Sequence, residues 1–147
     1  MEHKMKIFSA VLAFSLLVFS TPVSAQYRNG LEEAFKSSYT LESNAEYARA
    51  IEALKKVYDE DSYEINIRLG GLTYQAGWFT ESIAFYNKSI LLMPMSVEAR
   101  LGFVLPASAL GNWNQVITRY NEILKIDPNH YTVNYRMGMI YYGRQDY

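Results

Sequence analysis

The 147-residue chain has no cysteine, only two histidines and a formal charge of -1, and each of these shortages excludes a class of function. Without cysteine the chain can form neither a disulfide framework nor a thiol nucleophile, and a zinc site would lack one of its commonest ligands. A nearly neutral chain also lacks the basic surface that attracts nucleic acid. We therefore expect no nucleic-acid partner, no metal, no cofactor and a fold that depends on apolar packing alone.

Side chains suited to catalysis are scarce as well. His3 lies in a leader segment described below, and His130 follows Asp127-Pro128-Asn129 in a predicted turn. No glycine-rich stretch has the form of a phosphate-binding loop. The acidic cluster of Asp59-Glu60-Asp61 and Glu64 lacks the spacing of a calcium loop, so we interpret it as a solvated helix junction. The sequence thus predicts a protein that is not an enzyme.

The first 25 residues have the form of a cleaved secretory signal. A basic start precedes the largely apolar run Ile7–Phe19, and Val23-Ser24-Ala25 then supplies the small side chains that signal peptidase requires. The apolar run is shorter than the ~20 residues that span a bilayer as a helix, so an uncleaved anchor is the weaker alternative. We expect an exported protein, periplasmic or outer-membrane-associated if bacterial, without direct membrane insertion after cleavage.

After the leader, the sequence repeats itself with a period of 34 residues. Residues 63–96 align with residues 97–130, and residues 131–147 align with the first half of the same unit. Apolar residues within each unit recur at three- and four-residue steps, which is typical of amphipathic helices. The matching landmarks are Gly77 with Gly111, Phe79 with Trp113, Ile83 with Ile117, Tyr86 with Tyr120, and Pro94 with Pro128.

These landmarks and their spacing resemble those of the tetratricopeptide repeat, a helix-turn-helix unit. The resemblance implies an all-α, right-handed solenoid of about seven helices after the signal peptide. Its units would be an atypical first helix pair in residues 26–62, repeats in residues 63–96 and 97–130, and the first half of a further repeat in residues 131–147. Within the first pair, helices are expected at residues 31–43 and 44–62.

Several residue types support the predicted helix boundaries and contacts. Gly77 and Gly111 suit the left-handed backbone that ends a first helix, while Pro94 and Pro128 would end the second helices. Pro106 falls within a predicted first helix, where we expect a kink. Small residues are expected where helices cross closely, at Gly70, Ser82, Ser89 and Gly138, and aromatic core residues at Phe79, Tyr86, Trp113 and Tyr120.

In the tetratricopeptide family, the first helices of successive units line a concave groove that commonly holds a peptide of a partner protein. The resemblance therefore implies a non-catalytic interaction scaffold with a protein or peptide partner. One branch of the family clamps a terminal carboxylate with lysine and asparagine where this chain has Ile67 and Gly71, so that particular function is not implied. The residues at the groove positions are Glu64, Ile67, Gly71, Tyr74, Gln75, Leu101, Leu105, Ser108, Tyr135, Met139 and Tyr142.

The half-repeat at residues 131–147 leads to two further expectations. We interpret the chain as truncated within a repeat. The alternative to a free-standing scaffold is then the amino-terminal portion of a larger envelope protein, with a membrane β-barrel or catalytic domain beyond Tyr147. Further repeats would in that case bury part of the predicted groove face. An exposed half-repeat also predicts self-association through residues 131–147.

Overall fold

The computed structural model describes the backbone of residues 23–144 and the side chains of residues 28–143. This part of the chain contains seven α-helices and no β-strand, as the repeat pattern predicts. Most of the predicted leader lies outside the described residues, and its cleavage stays a prediction. The helices are α1 Val23–Ser43, α2 Tyr47–Lys55, α3 Tyr63–Gln75, α4 Phe79–Leu92, α5 Val97–Ala109, α6 Trp113–Ile126 and α7 Tyr131–Arg144.

The first helices of the later units begin where the period places them. The starts of α3, α5 and α7, at Tyr63, Val97 and Tyr131, are 34 residues apart. Each start is preceded by a side chain that accepts a hydrogen bond from the first turn, which satisfies one of the free N–H groups of a helix end. Ser62, Ser96 and His130 accept from the backbone N–H of Ile65, Ala99 and Val133 at 3.3, 3.0 and 3.4 Å.

The first helix pair differs from the prediction at both of its boundaries. α1 begins at Val23 rather than at residue 31, and α2 ends at Lys55 rather than continuing to residue 62. After α2, the backbone N–H groups of Val57 and Tyr58 bond to the carbonyl oxygens three residues back, and the backbone N–H of Asp61 then donates to Asp59 Oδ1 over 3.0 Å. Such a bond from a short acidic side chain competes with the helical backbone. The acidic segment is therefore a connection between helices, as we interpreted it from the sequence.

The four residues expected to mark helix ends, Gly77, Gly111, Pro94 and Pro128, lie at or just after helix ends, as predicted. Gly77 and Gly111 adopt φ angles of 78° and 72°, which glycine tolerates because it lacks a Cβ atom. α4 and α6 each end two residues before a proline, Pro94 and Pro128 respectively. Pro106 is buried inside α5, and the helix continues past it. The kink expected at Pro106 stays a prediction.

The apolar core consists of two adjoining clusters. One joins α1, α2 and α3 and includes Ile51, Leu54 and Leu69. The other joins α4, α5, α6 and α7 and includes Phe103 and Ile123. Burial of each such side chain contributes about 1.5–3 kcal/mol. The helix pairs are thus held together by apolar packing, as a chain without cysteine requires.

α3 and α4 cross at the small residues that the sequence indicates. Ser82 Oγ donates to the carbonyl oxygen of Gly70 over 2.7 Å. The Tyr86 ring lies so close that a Cβ atom on Gly70 would be 3.0 Å from it. At the corresponding positions of α5 and α6 the chain has Val104 and Val116, and both are buried. The crossing of α3 and α4 therefore uses two small residues, and the crossing of α5 and α6 uses two branched apolar residues.

Three predictions about packing need correction. Trp113, expected in the core, is 47% exposed, because it borders an open pocket that it shares with Met139, Ile140 and Gly143 of α7. Phe79 is only half-buried, with its ring centroid 5.8 Å from that of Tyr74. Gly138 is not a close crossing point, since no described atom lies within 4 Å of the place where its Cβ atom would be. Tyr86 and Tyr120 are buried, as predicted.

Candidate binding groove

The first helices line a continuous groove of about 960 Å³. Its walls come from α1, α3, α5 and α7, and two side chains reach it from α4 and α6. Most of the lining surface is apolar. The lining residues are Phe35, Tyr39, Tyr63, Glu64, Ile67, Arg68, Gly71, Tyr86, Val97, Glu98, Leu101, Gly102, Val104, Leu105, Tyr120, Thr132 and Arg136.

Part of the predicted partner-binding set lines this groove, namely Glu64, Ile67, Gly71, Leu101 and Leu105. Leu105 is 43% exposed and therefore offers an open apolar contact. The other predicted residues lie on the last turns of α3 and α5 or on α7, outside the lining. These residues are Tyr74, Gln75, Ser108, Tyr135, Met139 and Tyr142. The binding role of every residue in the set stays a prediction.

The predicted residues of α7 lie on a separate, exposed face. Tyr135 stacks on Tyr131, with ring centroids 6.5 Å apart and an interplanar angle of 11°. Next to this face is a smaller pocket of about 340 Å³, lined by Trp113, Met139, Ile140 and Gly143. Self-association through residues 131–147 stays a prediction.

Two buried tyrosines reach the groove from the second helices. Tyr86 on α4 and Tyr120 on α6 occupy the same position of the repeat, and both line the groove. The Tyr86 ring extends past α3 toward α5, where a Cβ atom on Gly102 would overlap it. Its hydroxyl oxygen lies 3.6 Å from the place where a Cβ atom on Gly71 would be. The two glycines therefore provide the space through which the ring reaches the groove floor.

The hydroxyl groups of these tyrosines have different electrostatic surroundings. Burial raises the pKa of Tyr86 to about 12, with smaller contributions from Glu98 and Tyr74. Burial also raises the pKa of Tyr120, but the nearby Arg136 charge offsets part of that change. Both hydroxyl groups stay protonated at neutral pH and are able to donate a hydrogen bond.

Arg68 is engaged by α1, so it adds little free positive charge to the groove. Its Nη1 lies 2.8 Å from Glu42 Oε2, and its Nε donates to Ser38 Oγ over 3.1 Å. The guanidinium carbon lies 3.8 Å from the centroid of the Tyr39 ring. Nη2 is buried without a hydrogen-bond partner. Because its charge is balanced by Glu42, Arg68 serves mainly to fasten α1 to α3.

Two carboxylates of the groove lack such a counter-charge. Glu64 and Glu98 occupy the same position of α3 and α5, and both are exposed. Neither forms an ion pair within the described residues. The Tyr63 hydroxyl lies 2.8 Å from Ser96 Oγ and donates to Glu98 Oε2 over 3.3 Å. Burial raises the pKa of Tyr63, and both carboxylates raise it further. This section of the groove is therefore negatively charged.

Between residues 23 and 144, no three His, Asp or Glu side chains gather closely enough to hold a metal ion. None of the helices α1 to α7 combines the length and the apolar character needed to cross a membrane.

No family model matches the sequence. Among curated proteins, the inactive TPR repeat-containing thioredoxin TTL3 of Arabidopsis thaliana is 26% identical over 74 residues, which cover 50% of this chain and 11% of that protein. MamA superposes with a TM-score of 0.71 at 24% identity, over 84% of this chain and 73% of that one. The first TPR of Spaghetti (RPAP3), bound to an HSP90 peptide, superposes with a TM-score of 0.70 at 13% identity, over 80% of this chain and 95% of that one. The chain has the tetratricopeptide-repeat (TPR) fold.

Sequence reasoning missed two recurring positions of the TPR unit. One is the sixth residue of each first helix, which is Arg68, Gly102 and Arg136 in turn, and all three line the groove. The other belongs to the second helix, where Tyr86 and Tyr120 were assigned to the core alone although they also reach the groove. The 34-residue register already relates the members of each set, so the repeat itself carried the signal.

Proposed function

We propose that this TPR protein is a non-catalytic scaffold that binds a segment of a partner protein in its groove. The observation that carries the proposal is the groove of about 960 Å³, which equivalent positions of successive first helices line with mostly apolar surface. A cleft of this size is large enough to bury several side chains of a ligand. Ile67, Leu101 and the exposed Leu105 would supply the apolar contacts, because apolar anchors placed in pockets dominate peptide recognition.

A solved neighbour supports a peptide as the kind of ligand. The first TPR of Spaghetti is bound to the HSP90 peptide SRMEEVD. That sequence is a property of the neighbour and is not transferred. This chain has Ile67 and Gly71 at positions where the resemblance places the lysine and asparagine of carboxylate-clamping relatives. An apolar contact surface therefore replaces those polar side chains.

The proposal can be tested with two exposed leucines. Leu105 lies in the groove and is 43% exposed, whereas Leu91 on α4 lies outside it and is 76% exposed. The full chain is immobilised and panned with random 12-residue peptides, and the affinities of the recovered peptides are measured by fluorescence anisotropy. Because a carboxylate placed against an apolar ligand surface must be desolvated, Leu105→Asp should weaken binding about tenfold or more.

Leu91→Asp is the matched control and should leave the affinity within about twofold of the wild-type value. Circular dichroism verifies that both variants keep their helices. Unchanged affinity in Leu105→Asp, or an equal loss in both variants, would place the binding surface elsewhere.

A further inference from the structure

The Tyr86 hydroxyl is a polar group at the groove floor that lacks a partner. The side chain is only 6% exposed, lines the groove, and forms no hydrogen bond with the described residues. The ring is buried, but the hydroxyl oxygen is not among the fully buried unpartnered polar atoms of the described residues, so it is open to the groove. Its high pKa keeps the proton on the oxygen, so the hydroxyl acts as a donor. An acceptor on a bound ligand would satisfy it.

The charges that act on the tyrosines between α3 and α5 are negative. Glu98 is close enough to Tyr86 to contribute to its raised pKa, and both Glu98 and Glu64 contribute to that of Tyr63. Both carboxylates are exposed and have no counter-ion among the described residues. A ligand with an acidic side chain here would be repelled, and one with a basic side chain would be attracted.

The arginines that line the groove do not reverse this charge. Arg68 is paired with Glu42 at 2.8 Å and is held against Tyr39 of α1. Arg136 is on α7, beyond α5, and lies beside Tyr120. Among the described residues, the section between α3 and α5 therefore keeps two carboxylates without a counter-ion, and the Tyr86 hydroxyl is an unused donor there in addition to the buried Arg68 Nη2.

From this arrangement we infer the chemistry of the partner segment, on the basis of the proposed function. The segment carries a Lys or Arg side chain that lies against Glu64 and Glu98. An uncharged acceptor next to it, such as a backbone carbonyl, takes the hydrogen bond of the Tyr86 hydroxyl. Apolar side chains on either side pack against Ile67 and Leu101. The ligand is thus basic and apolar, opposite in charge to the peptide SRMEEVD bound by the solved neighbour.

The test uses the best peptide recovered by panning and a copy in which its basic residue is glutamine. Glu98→Gln should lower the affinity for the basic peptide about threefold to tenfold and should hardly change the affinity for the glutamine copy. Because the attraction is between charges, rising salt should reduce the advantage of the basic peptide. Glu81→Gln is the matched control, since Glu81 is exposed on α4 and does not line the groove. The peptide SRMEEVD should bind more weakly than either panned peptide.

Tyr86→Phe tests the hydroxyl separately. The variant keeps the ring and removes a group that bonds to no described residue, so the fold should be retained. The affinity for both peptides should fall about threefold to tenfold.

The outcomes distinguish this inference from the proposed function. The charge inference would be overturned by peptides that lack a basic residue, lose affinity for Leu105→Asp and bind Glu98→Gln as tightly as the wild type. In that case the groove would still be the binding site. Unchanged binding to Tyr86→Phe would overturn the assigned role of the hydroxyl. Peptides that bind independently of Leu105 would overturn the proposed function itself.

Discussion

The two complete repeats, residues 63–96 and 97–130, place a tyrosine at the same position but surround it differently. Around Tyr86 the neighbouring helices present Gly70 and Gly102, and Ser82 donates to the Gly70 carbonyl oxygen over 2.7 Å. In the next repeat, Val104 and Val116 fill the positions that correspond to Gly70 and Ser82. The repeat therefore fixes where the aromatic ring lies, while the space around the ring can be filled either by small residues or by valines.

The largest expected effects come from removing the two rings. Tyr86→Ala and Tyr120→Ala should each lower the free energy of unfolding by about 3–5 kcal/mol, because each truncation leaves a cavity in a packed core. Trp113→Ala should cost about 1 kcal/mol or less, since the indole is 47% exposed. Urea unfolding followed by circular dichroism measures all three. If Trp113→Ala lowered the free energy of unfolding as much as Tyr120→Ala, the partial exposure of Trp113 would be contradicted.

A smaller effect is expected where the tyrosine depends on glycine. Gly102→Ala should lower the free energy of unfolding by about 1–3 kcal/mol, because the new methyl group overlaps the Tyr86 ring. Gly138→Ala is the matched control in α7, where a Cβ atom meets nothing within 4 Å. It should raise stability by about 0.5–1 kcal/mol through helix propensity. If both substitutions changed stability in the same direction, Gly102 would not provide the space that the Tyr86 ring occupies.

Local signals explain why much of the fold was predictable. The starts of α3, α5 and α7 depend on capping side chains at one position of the repeat, and the turns after α3 and α5 depend on Gly77 and Gly111. Each signal acts over a few residues, so it can be recognised in the sequence. The end of α2 differs from the prediction because the backbone N–H groups of Val57 and Tyr58 bond to the carbonyl oxygens three residues back, and the acidic segment after them forms its own turn.

The candidate site was less predictable because it depends on contacts between units. Tyr86 reaches the groove only because Gly102, which belongs to the next repeat, leaves room for its ring. Arg68 is neutralised by Glu42 of α1, a contact that periodicity does not indicate. Trp113 has the residue type of a core position, but the sequence pattern cannot show what covers it. Position within a repeat is therefore predictable, whereas exposure depends on the neighbouring repeats.

The surface between α3 and α5 is the proposed binding site of the partner segment. The most direct measurement is the NMR chemical-shift change of methyl groups in the full chain when a panned peptide is added. The largest changes should occur at Ile67, Leu101 and Leu105, which line the groove. Changes confined to Met139 and Ile140 on α7, or to Leu91 on α4, would contradict the claim.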